Sequence, residues 1–179
     1  MLTTENSLVL AIDFQDRLMP SMHDREELAR KTAIFLKGCR LLGVPIIATQ
    51  QYTKGLGDTI SEIKDALGEF KPIEKITFSC CGNVEFIKEI KELGRKNIIV
   101  TGIEAHICVQ QTVLDIVSSG YDVYVVADCI GSRFVNDRLY AEKLMDKAGA
   151  VFYTAESALF EMMVSAEHPR RKEISELIK

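Results

Sequence analysis

The feature that most limits how this chain can fold is an alternation of short apolar runs with longer segments of helical period. The runs are rich in valine and isoleucine and are apolar at successive positions, which is typical of strands buried on both faces. Six strands are predicted, over residues 8–13, 45–49, 73–75, 97–102, 122–127 and 150–153. Because strands that alternate with helices indicate βα units, we predict an α/β fold with a parallel sheet and helices on both faces.

Four of the helical segments stop at a glycine, which readily takes the left-handed conformation that ends many helices. They cover residues 24–42, 84–93, 104–119 and 136–148, and they precede Gly43, Gly94, Gly120 and Gly149. We expect Asp24 to cap the first of them, with Glu27 completing a capping box. Two more helices are predicted over residues 155–165 and 168–179. Because no linker or repeat interrupts the series, we expect a single domain over residues 1–179.

The composition narrows the classes of function. With 22 basic and 26 acidic residues the formal net charge is -4, which argues against a general affinity for nucleic acid or for an anionic membrane. The longest apolar runs have the length of strands, and the first residues lack the basic and apolar regions of a signal peptide. We therefore expect a cytoplasmic protein that binds neither nucleic acid nor membrane.

Cysteine and histidine spacing gives no sign of a metal site. The five cysteines are odd in number and include no C-x-x-C pair, so we interpret them as reduced thiols. None of the three histidines has a second histidine or a cysteine at ligand spacing. The G-x-G-x-x-G motif of dinucleotide enzymes is missing after the first strand, where Asp13, Phe14 and Gln15 follow instead. We therefore expect no metal and no nicotinamide or flavin cofactor.

Three reactive side chains fall where an open α/β sheet binds its ligands, beyond the carboxyl ends of the strands. Asp13 ends the first strand, Lys75 ends the third, and Cys108 comes just after the fourth. Each has an ordinary structural explanation, as a turn cap, a surface charge or a small core residue. Their joint placement instead predicts a carboxylate, an ammonium and a thiol in one crevice.

Each of these groups has a separate role in nucleophilic chemistry. A thiol attacks only as thiolate and has an ordinary pKa of about 8.5, which we expect Lys75 and the nearby helix N-terminus to lower. Backbone N–H groups at the same helix start can hold the oxyanion of a tetrahedral intermediate. Asp13 can then move the proton between thiol, leaving nitrogen and water. With strands in the order 3-2-1-4, Lys75 starts about 10 Å from Asp13, so its side chain must lean inward.

These residues carry a resemblance to a known family. The segments 8–15, 74–75 and 102–109, together with 111–121 and 125–128, resemble the isochorismatase-like cysteine hydrolase family over nearly the whole chain. The resemblance implies a doubly wound sheet of order 3-2-1-4-5-6, a Cys108 nucleophile, Asp13 as general acid and base, and an assisting Lys75. It also implies a cis peptide bond between Ile103 and Glu104, and an oxyanion hole formed by the N–H groups of Glu104 and Cys108.

A departure from one branch of the family narrows the substrate. Nicotinamidases of the family carry an aspartate and histidines after strand two that hold a metal, whereas residues 49–57 here contain no Asp-x-His. The resemblance therefore implies no metal and argues against nicotinamidase activity. The segment 51–57 is instead similar to small orphan hydrolases of the family. Candidate walls of a substrate pocket are Phe14, Gln15, Tyr52, Phe78 and His106.

The leading prediction is a hydrolase that cleaves a small amide-like substrate through a Cys108 thioester. The first alternative is a thiol redox sensor, in which Cys108 is oxidised and another cysteine resolves it. The second is a non-catalytic assembly or binding protein that keeps the fold. The resemblance also implies a homo-oligomer. The apolar segment 159–164 is predicted either to pack on a neighbouring subunit or to close the core of the monomer.

Overall fold

The computed structural model describes all 179 residues of the chain around one six-stranded sheet. The strands are β1 (Ser7–Ile12), β2 (Ile46–Gln51), β3 (Ile73–Lys75), β4 (Asn97–Ile103), β5 (Asp122–Gly131) and β6 (Val151–Tyr153). Neighbouring strands are all parallel and follow the order β3-β2-β1-β4-β5-β6. The predicted α/β class and strand order are therefore confirmed.

Eight α-helices connect and cover the strands. They are α1 (Arg25–Leu41), α2 (Thr53–Leu56), α3 (Ser61–Leu67), α4 (Val84–Leu93), α5 (Gln110–Ser118), α6 (Val135–Ala148), α7 (Ala155–Met163) and α8 (Arg171–Leu177). Short 3-10 turns lie at Met19–Ser21 and Cys80–Gly82. None of the helices is both long enough and apolar enough to cross a lipid bilayer.

The sheet has an apolar core on each face, because successive side chains of a strand point to opposite sides. On β1, Leu8, Leu10 and Ile12 belong to the core shared with α4, α5 and α6, whereas Val9 and Ala11 belong to the core shared with α1, α3, α7 and α8. Helices therefore cover both faces, as predicted. This double burial explains why β1 is apolar at every position from Leu8 to Ile12 rather than at alternate ones.

Several predicted boundaries differ from the structure by a few residues, and three of the differences have a clear structural reason. Asp24 does not cap α1, because its backbone has a φ of 54° and its side chain makes no capping bond, whereas N-cap residues normally have extended backbone. The helix predicted from residue 104 begins as a π-helical turn at Ala105–Val109 and becomes an α-helix only at Gln110. The fifth strand is longer than predicted, because Ile130 and Gly131 pair with the end of β4 after an irregular step.

The C-terminal segment closes the core of the monomer. Leu159, Met162 and Met163 of α7 are buried, and Leu159 packs against the space beside Gly38 of α1. Of the two roles left open for residues 159–164, the structure thus supports packing within the chain. Phe160 and Val164 of the same segment remain 40% and 79% exposed.

We predict that Gly102 is needed for the close approach of β4 to β1. A methyl group on Gly102, whose φ is 146°, would lie 2.5 Å from the Ile12 Cβ and 2.7 Å from the Ile12 carbonyl oxygen. Gly94→Ala is the matched control, since Gly94 also has a positive φ of 62° but has no atom within 4 Å of such a methyl group. In urea unfolding, Gly94→Ala should lower the free energy of unfolding by about 1 kcal/mol, and Gly102→Ala should lower it by more than about 3 kcal/mol. Equal losses would mean that the contact with β1 imposes no constraint.

Candidate active site

The three reactive residues come together at the carboxyl edge of the sheet, around the point where the strand order reverses. Asp13 directly follows β1, Lys75 is the last residue of β3, and Cys108 lies in the π-helical turn after β4. Because β1 lies between β2 and β4, the loops after these strands converge on Asp13. Ligand sites of open α/β sheets form at such a reversal.

Asp13 and Lys75 form a fully buried ion pair. The Lys75 Nζ lies 2.6 Å from the Asp13 Oδ2, and both side chains have no exposed surface. The lysine side chain therefore leans across β2 to close the separation of two strands. From β2 itself, the Thr49 hydroxyl donates to the Asp13 Oδ1 at 2.7 Å. Each oxygen of the carboxylate thus has a donor.

The lysine ammonium is held by three further acceptors. The Lys75 Nζ donates to the Gln51 Oε1 at 2.7 Å, to the Phe78 carbonyl at 3.0 Å and to the Thr77 carbonyl at 3.3 Å. Burial, the largest single cause, lowers the pKa of Lys75, but the attraction and hydrogen bond of Asp13 together with the effects of Cys80 and Cys108 outweigh it and raise the pKa above the ordinary value. The ammonium therefore stays charged inside the fold.

The backbone of Asp13 is also unusual. Its φ of 56° places a non-glycine residue in the left-handed region, which aspartate tolerates better than most side chains. The Asp13 N–H donates to the Thr49 carbonyl at 3.2 Å, and the Asp13 carbonyl accepts from the Gln15 N–H at 2.7 Å. These bonds hold the chain in a turn that aims the carboxylate across the sheet edge. Strained backbone of this kind is frequent at functional sites.

The Cys108 thiol is buried, with 6% of the residue exposed, and its pKa is raised rather than lowered. Burial is the largest cause, the negative charge of Asp13 adds to it, and the positive charge of Lys75 opposes it only in part, so that the pKa rises to about 12. The expectation of a lowered pKa was therefore wrong. The main physical reason is burial, and in addition the charge of Asp13 acts on the thiol more strongly than the opposing charge of Lys75.

A second thiol, that of Cys80, lies in the same crevice. Burial and then the charge of Asp13 raise its pKa to about 12, while Lys75 lowers it in part. The side chain of Thr112 links the backbones of the two cysteines. The Thr112 hydroxyl donates to the Cys108 carbonyl at 2.6 Å and accepts from the Cys80 N–H at 3.0 Å. The turn after Lys75 is thereby fixed to the helix that follows Cys108.

The turn between β4 and α5 has an unusual backbone conformation. The Ile103–Glu104 peptide bond is cis, and the following residues form a π-helical turn, a conformation that recurs at functional sites. The Glu104 N–H donates to no acceptor within the protein. The Glu104 carboxylate instead accepts from the Arg133 backbone N–H at 3.2 Å and from its Nε at 3.0 Å.

The five residues predicted as pocket walls divide into three groups. Phe14 and Gln15 are buried, and the Gln15 amide bonds to the backbone of Gln51, so they belong to the support of the site. Tyr52 and Phe78 are 49% and 54% exposed and lie on the loops that flank Lys75. His106 is partly buried, with its Nδ1 2.9 Å from the Ser132 hydroxyl.

Several residues that shape the site were not identified from the sequence. They are Thr49, Gln51, Thr112 and Arg133. Thr49 and Gln51 are two residues apart on β2, so their side chains lie on the same face of that strand, beside Lys75. This spacing is the one signal in the sequence that could have identified them. No group of three His, Cys, Asp or Glu side chains is arranged to hold a metal ion.

Comparison with known proteins places this geometry in a family. Residues 7–157 match the Isochorismatase domain. Isochorismatase domain-containing protein 1 of Danio rerio is 34% identical over 179 residues, which cover 99% of this chain and 62% of that protein. The chain thus spans about three-fifths of the length of that relative.

Solved structures agree with this match. The MAR1 ribonuclease structure from Caenorhabditis elegans has a TM-score of 0.93 and 35% identity, covering 99% of this chain and 91% of that one. YcaC from Pseudomonas aeruginosa, solved with hexane-2,5-diol and covalent acrylamide, has a TM-score of 0.89 and 25% identity, covering 98% of this chain and 87% of that one. The domain match, the relatives and the shared fold together establish that this chain belongs to the isochorismatase family.

Proposed function

We propose that this chain is a cysteine hydrolase that cleaves a small amide-like substrate through a thioester on Cys108. The observation that carries the proposal is the buried Asp13–Lys75 pair beside the Cys108 thiol. Placing two charges out of water is costly, so such a pair is retained where its chemistry is used or where many hydrogen bonds hold it. Membership of the isochorismatase family supports a hydrolase in general, and the triad and the substrate class are our inference.

In the first step the thiol attacks the substrate carbonyl carbon. Since the pKa of Cys108 is raised to about 12, the resting group is the neutral thiol and a base must remove its proton during attack. Asp13 is the base, because its carboxylate is the negative charge that acts on the thiol. The new C–S bond converts the carbonyl into an oxyanion, which accepts hydrogen bonds from the N–H groups of Glu104 and Cys108.

In the second step the C–N bond breaks. Asp13 delivers the proton taken from the thiol to the leaving nitrogen, so ammonia or an amine departs and the acyl group stays on Cys108 as a thioester. Asp13 then removes a proton from water, and the resulting hydroxide attacks the thioester carbon. Breaking the C–S bond returns the proton to the sulfur and releases a carboxylic acid, which restores the enzyme.

Lys75 supports both steps without exchanging a proton. Its raised pKa keeps the ammonium charged, and this ammonium, 2.6 Å from the Asp13 Oδ2, holds the Asp13 carboxylate in position. The three further acceptors of the ammonium fix the position of this charge. A positioned charge of this kind stabilises the carboxylate without reorganisation during the reaction.

The comparisons add two points to the proposal. The structure of YcaC from Pseudomonas aeruginosa contains covalent acrylamide, an electrophile, so a protein of this fold can carry a reactive nucleophile, and we assign that role to Cys108 in this chain. The C. elegans structure is that of a ribonuclease, which makes RNA a substrate to be tested. We expect no RNA cleavage here, since the net charge is -4 and the Cys108 thiol is enclosed.

Both alternatives predicted from the sequence receive less support. A peroxide sensor needs an accessible thiol with a lowered pKa, whereas Cys108 is 6% exposed and its pKa is raised. A non-catalytic assembly protein has no use for a desolvated aspartate and lysine at its sheet edge, since apolar residues of similar size are usually at least as stable there.

Substitution of the proposed nucleophile should abolish hydrolysis of small amides. For Cys108→Ala we expect kcat to fall by at least about 1,000-fold, and for Asp13→Asn by a similar factor, because each removes a group that acts in the transition state. Ammonia release from a panel of small aliphatic amides, with a short RNA included, measures the reaction. Mass spectrometry of acid-quenched enzyme should detect an acyl adduct on the peptide that contains Cys108.

Cys81→Ser is the matched control for this series. Cys81 is partly buried and interacts with Ser79 and Asp115 rather than with Asp13. Replacing the Cys81 thiol should therefore leave kcat within about twofold of the wild-type value. Amide hydrolysis that survives in Cys108→Ala would contradict the assigned nucleophile. Cleavage of the RNA but of no amide would contradict the assigned substrate class.

The two charges of the pair should move the pKa of Cys108 in opposite directions. Asp13→Asn removes the negative charge that raises the pKa and leaves Lys75 unopposed, so the pKa should fall below about 12. Lys75→Met removes the charge that lowers it, so the pKa should rise above that of the wild type. The measurement is the pH dependence of acrylamide alkylation from pH 7 to 10, followed on the Cys108 peptide.

The faster alkylation of Asp13→Asn should accompany a loss of turnover, because the variant gains thiolate but loses the proton donor for the leaving nitrogen. The double variant Asp13→Asn/Lys75→Met removes both charges together and avoids leaving either one buried without a partner. Its Cys108 pKa should lie between those of the single variants. Unchanged alkylation in all three would show that the pair does not act on the thiol.

A further inference from the structure

The outer surface of α6 carries large apolar side chains that the fold leaves in water. Ala141 and Met145 bury one side of this helix, whereas Tyr140 is 71% exposed and Leu144 is 43% exposed. Tyr140 and Leu144 are four residues apart and therefore lie on the same side of the helix. Exposed apolar groups that are grouped on one element commonly mark a contact surface.

Two charged residues extend this side of α6 in both directions. Asp137 lies in the first turn and Lys147 in the last turn of the helix, and both are at least partly exposed. The series Asp137, Tyr140, Leu144 and Lys147 has the 3-4-3 spacing of one helix stripe. We call this stripe the α6 seam.

The α6 seam is complementary to itself when it is reversed. Tyr140 and Leu144 lie two residues on either side of Glu142, and Asp137 and Lys147 lie five residues on either side of it. A two-fold axis at the level of Glu142 therefore places Tyr140 of one copy opposite Leu144 of the other. The same axis places Asp137 opposite Lys147 at both ends of the contact, about 15 Å apart along the helix.

We propose that the α6 seam is the surface on which a second copy of this chain docks, with the two helices antiparallel. A symmetric contact needs a patch that matches itself, and this seam meets that requirement in both its apolar and its charged positions. A partner of one charge, such as an acidic or a basic peptide, would match only one end of it. The seam is therefore assigned to a second copy rather than to another macromolecule.

The size of the seam sets the expected affinity. Helix α6 has 14 residues and is thus about 21 Å long, which places a contact between two such helices at the small end of specific interfaces. We expect a dimer with a dissociation constant on the order of 10 µM. The charged pairs at the ends are exposed and act chiefly on the register of the two helices.

Sedimentation velocity from about 1 to 500 µM tests the proposal with four variants of the seam, three single and one double. Leu144→Glu should weaken the dimer about 100-fold, since it places a charge at the apolar centre. Lys147→Glu and Asp137→Lys should each weaken it about 10-fold, because each turns two attractive contacts into repulsive ones. The double variant Asp137→Lys/Lys147→Glu reverses both partners together and should restore the wild-type dissociation constant.

Two controls separate the seam from general effects on helices. Lys91→Glu removes a last-turn lysine from α4, and Val84→Glu replaces a residue that is 85% exposed on the same helix. Both should leave dimerisation unchanged. Circular dichroism checks that each variant is folded. Substitutions at exposed positions are expected to leave the fold intact. A wild type that stays monomeric at 500 µM, a dimer that survives Leu144→Glu, or single reversals without rescue in the double variant would each overturn the proposal.

Discussion

The ion pair between Asp13 and Lys75 is the interaction around which the rest of the site is organised. Two opposite charges with no exposed surface are stable only if each remaining polar atom has a partner, and here Thr49, Gln51 and two backbone carbonyls supply them. Those partners come from β2 and from the turn after β3. The requirement to satisfy one desolvated pair therefore accounts for Thr49 and Gln51 of β2 and for the path of the chain after Lys75.

The pair also depends on how closely the central strands approach. Gly102 pairs with Ile12, and its missing side chain lets β4 lie against the residue that precedes Asp13. The left-handed backbone of Asp13 then turns the carboxylate over the edge of the sheet, toward the turn that carries Cys108. Backbone conformation at two positions thus brings together a carboxylate and a thiol that are 95 residues apart in sequence. Loops alone would not hold these groups with comparable precision.

Periodicity and position were sufficient to predict the six strands, their enclosure by helices, and the side chains that end β1 and β3 or follow β4. Apolar runs and strand ends are local properties of a sequence, so a single chain reveals them. The direction of the Cys108 pKa was not predictable, because it depends on how far Asp13 cancels the charge of Lys75 and on burial. The bond between Glu104 and Arg133 and the tie through Thr112 join residues from different loops. No local pattern encodes such contacts.

A raised thiol pKa suits the proposed reaction better than a lowered one. A permanent thiolate beside Asp13 would place two negative charges in a buried crevice with one ammonium between them, which desolvation opposes. With the proton on sulfur in the resting state, the crevice holds one carboxylate and one ammonium and is electrically balanced. Attack then moves the proton to Asp13 while negative charge passes to the substrate oxygen, at the N–H groups of the turn after β4. The net charge of the crevice is the same before and after this step, so the low dielectric of the buried site does not oppose it.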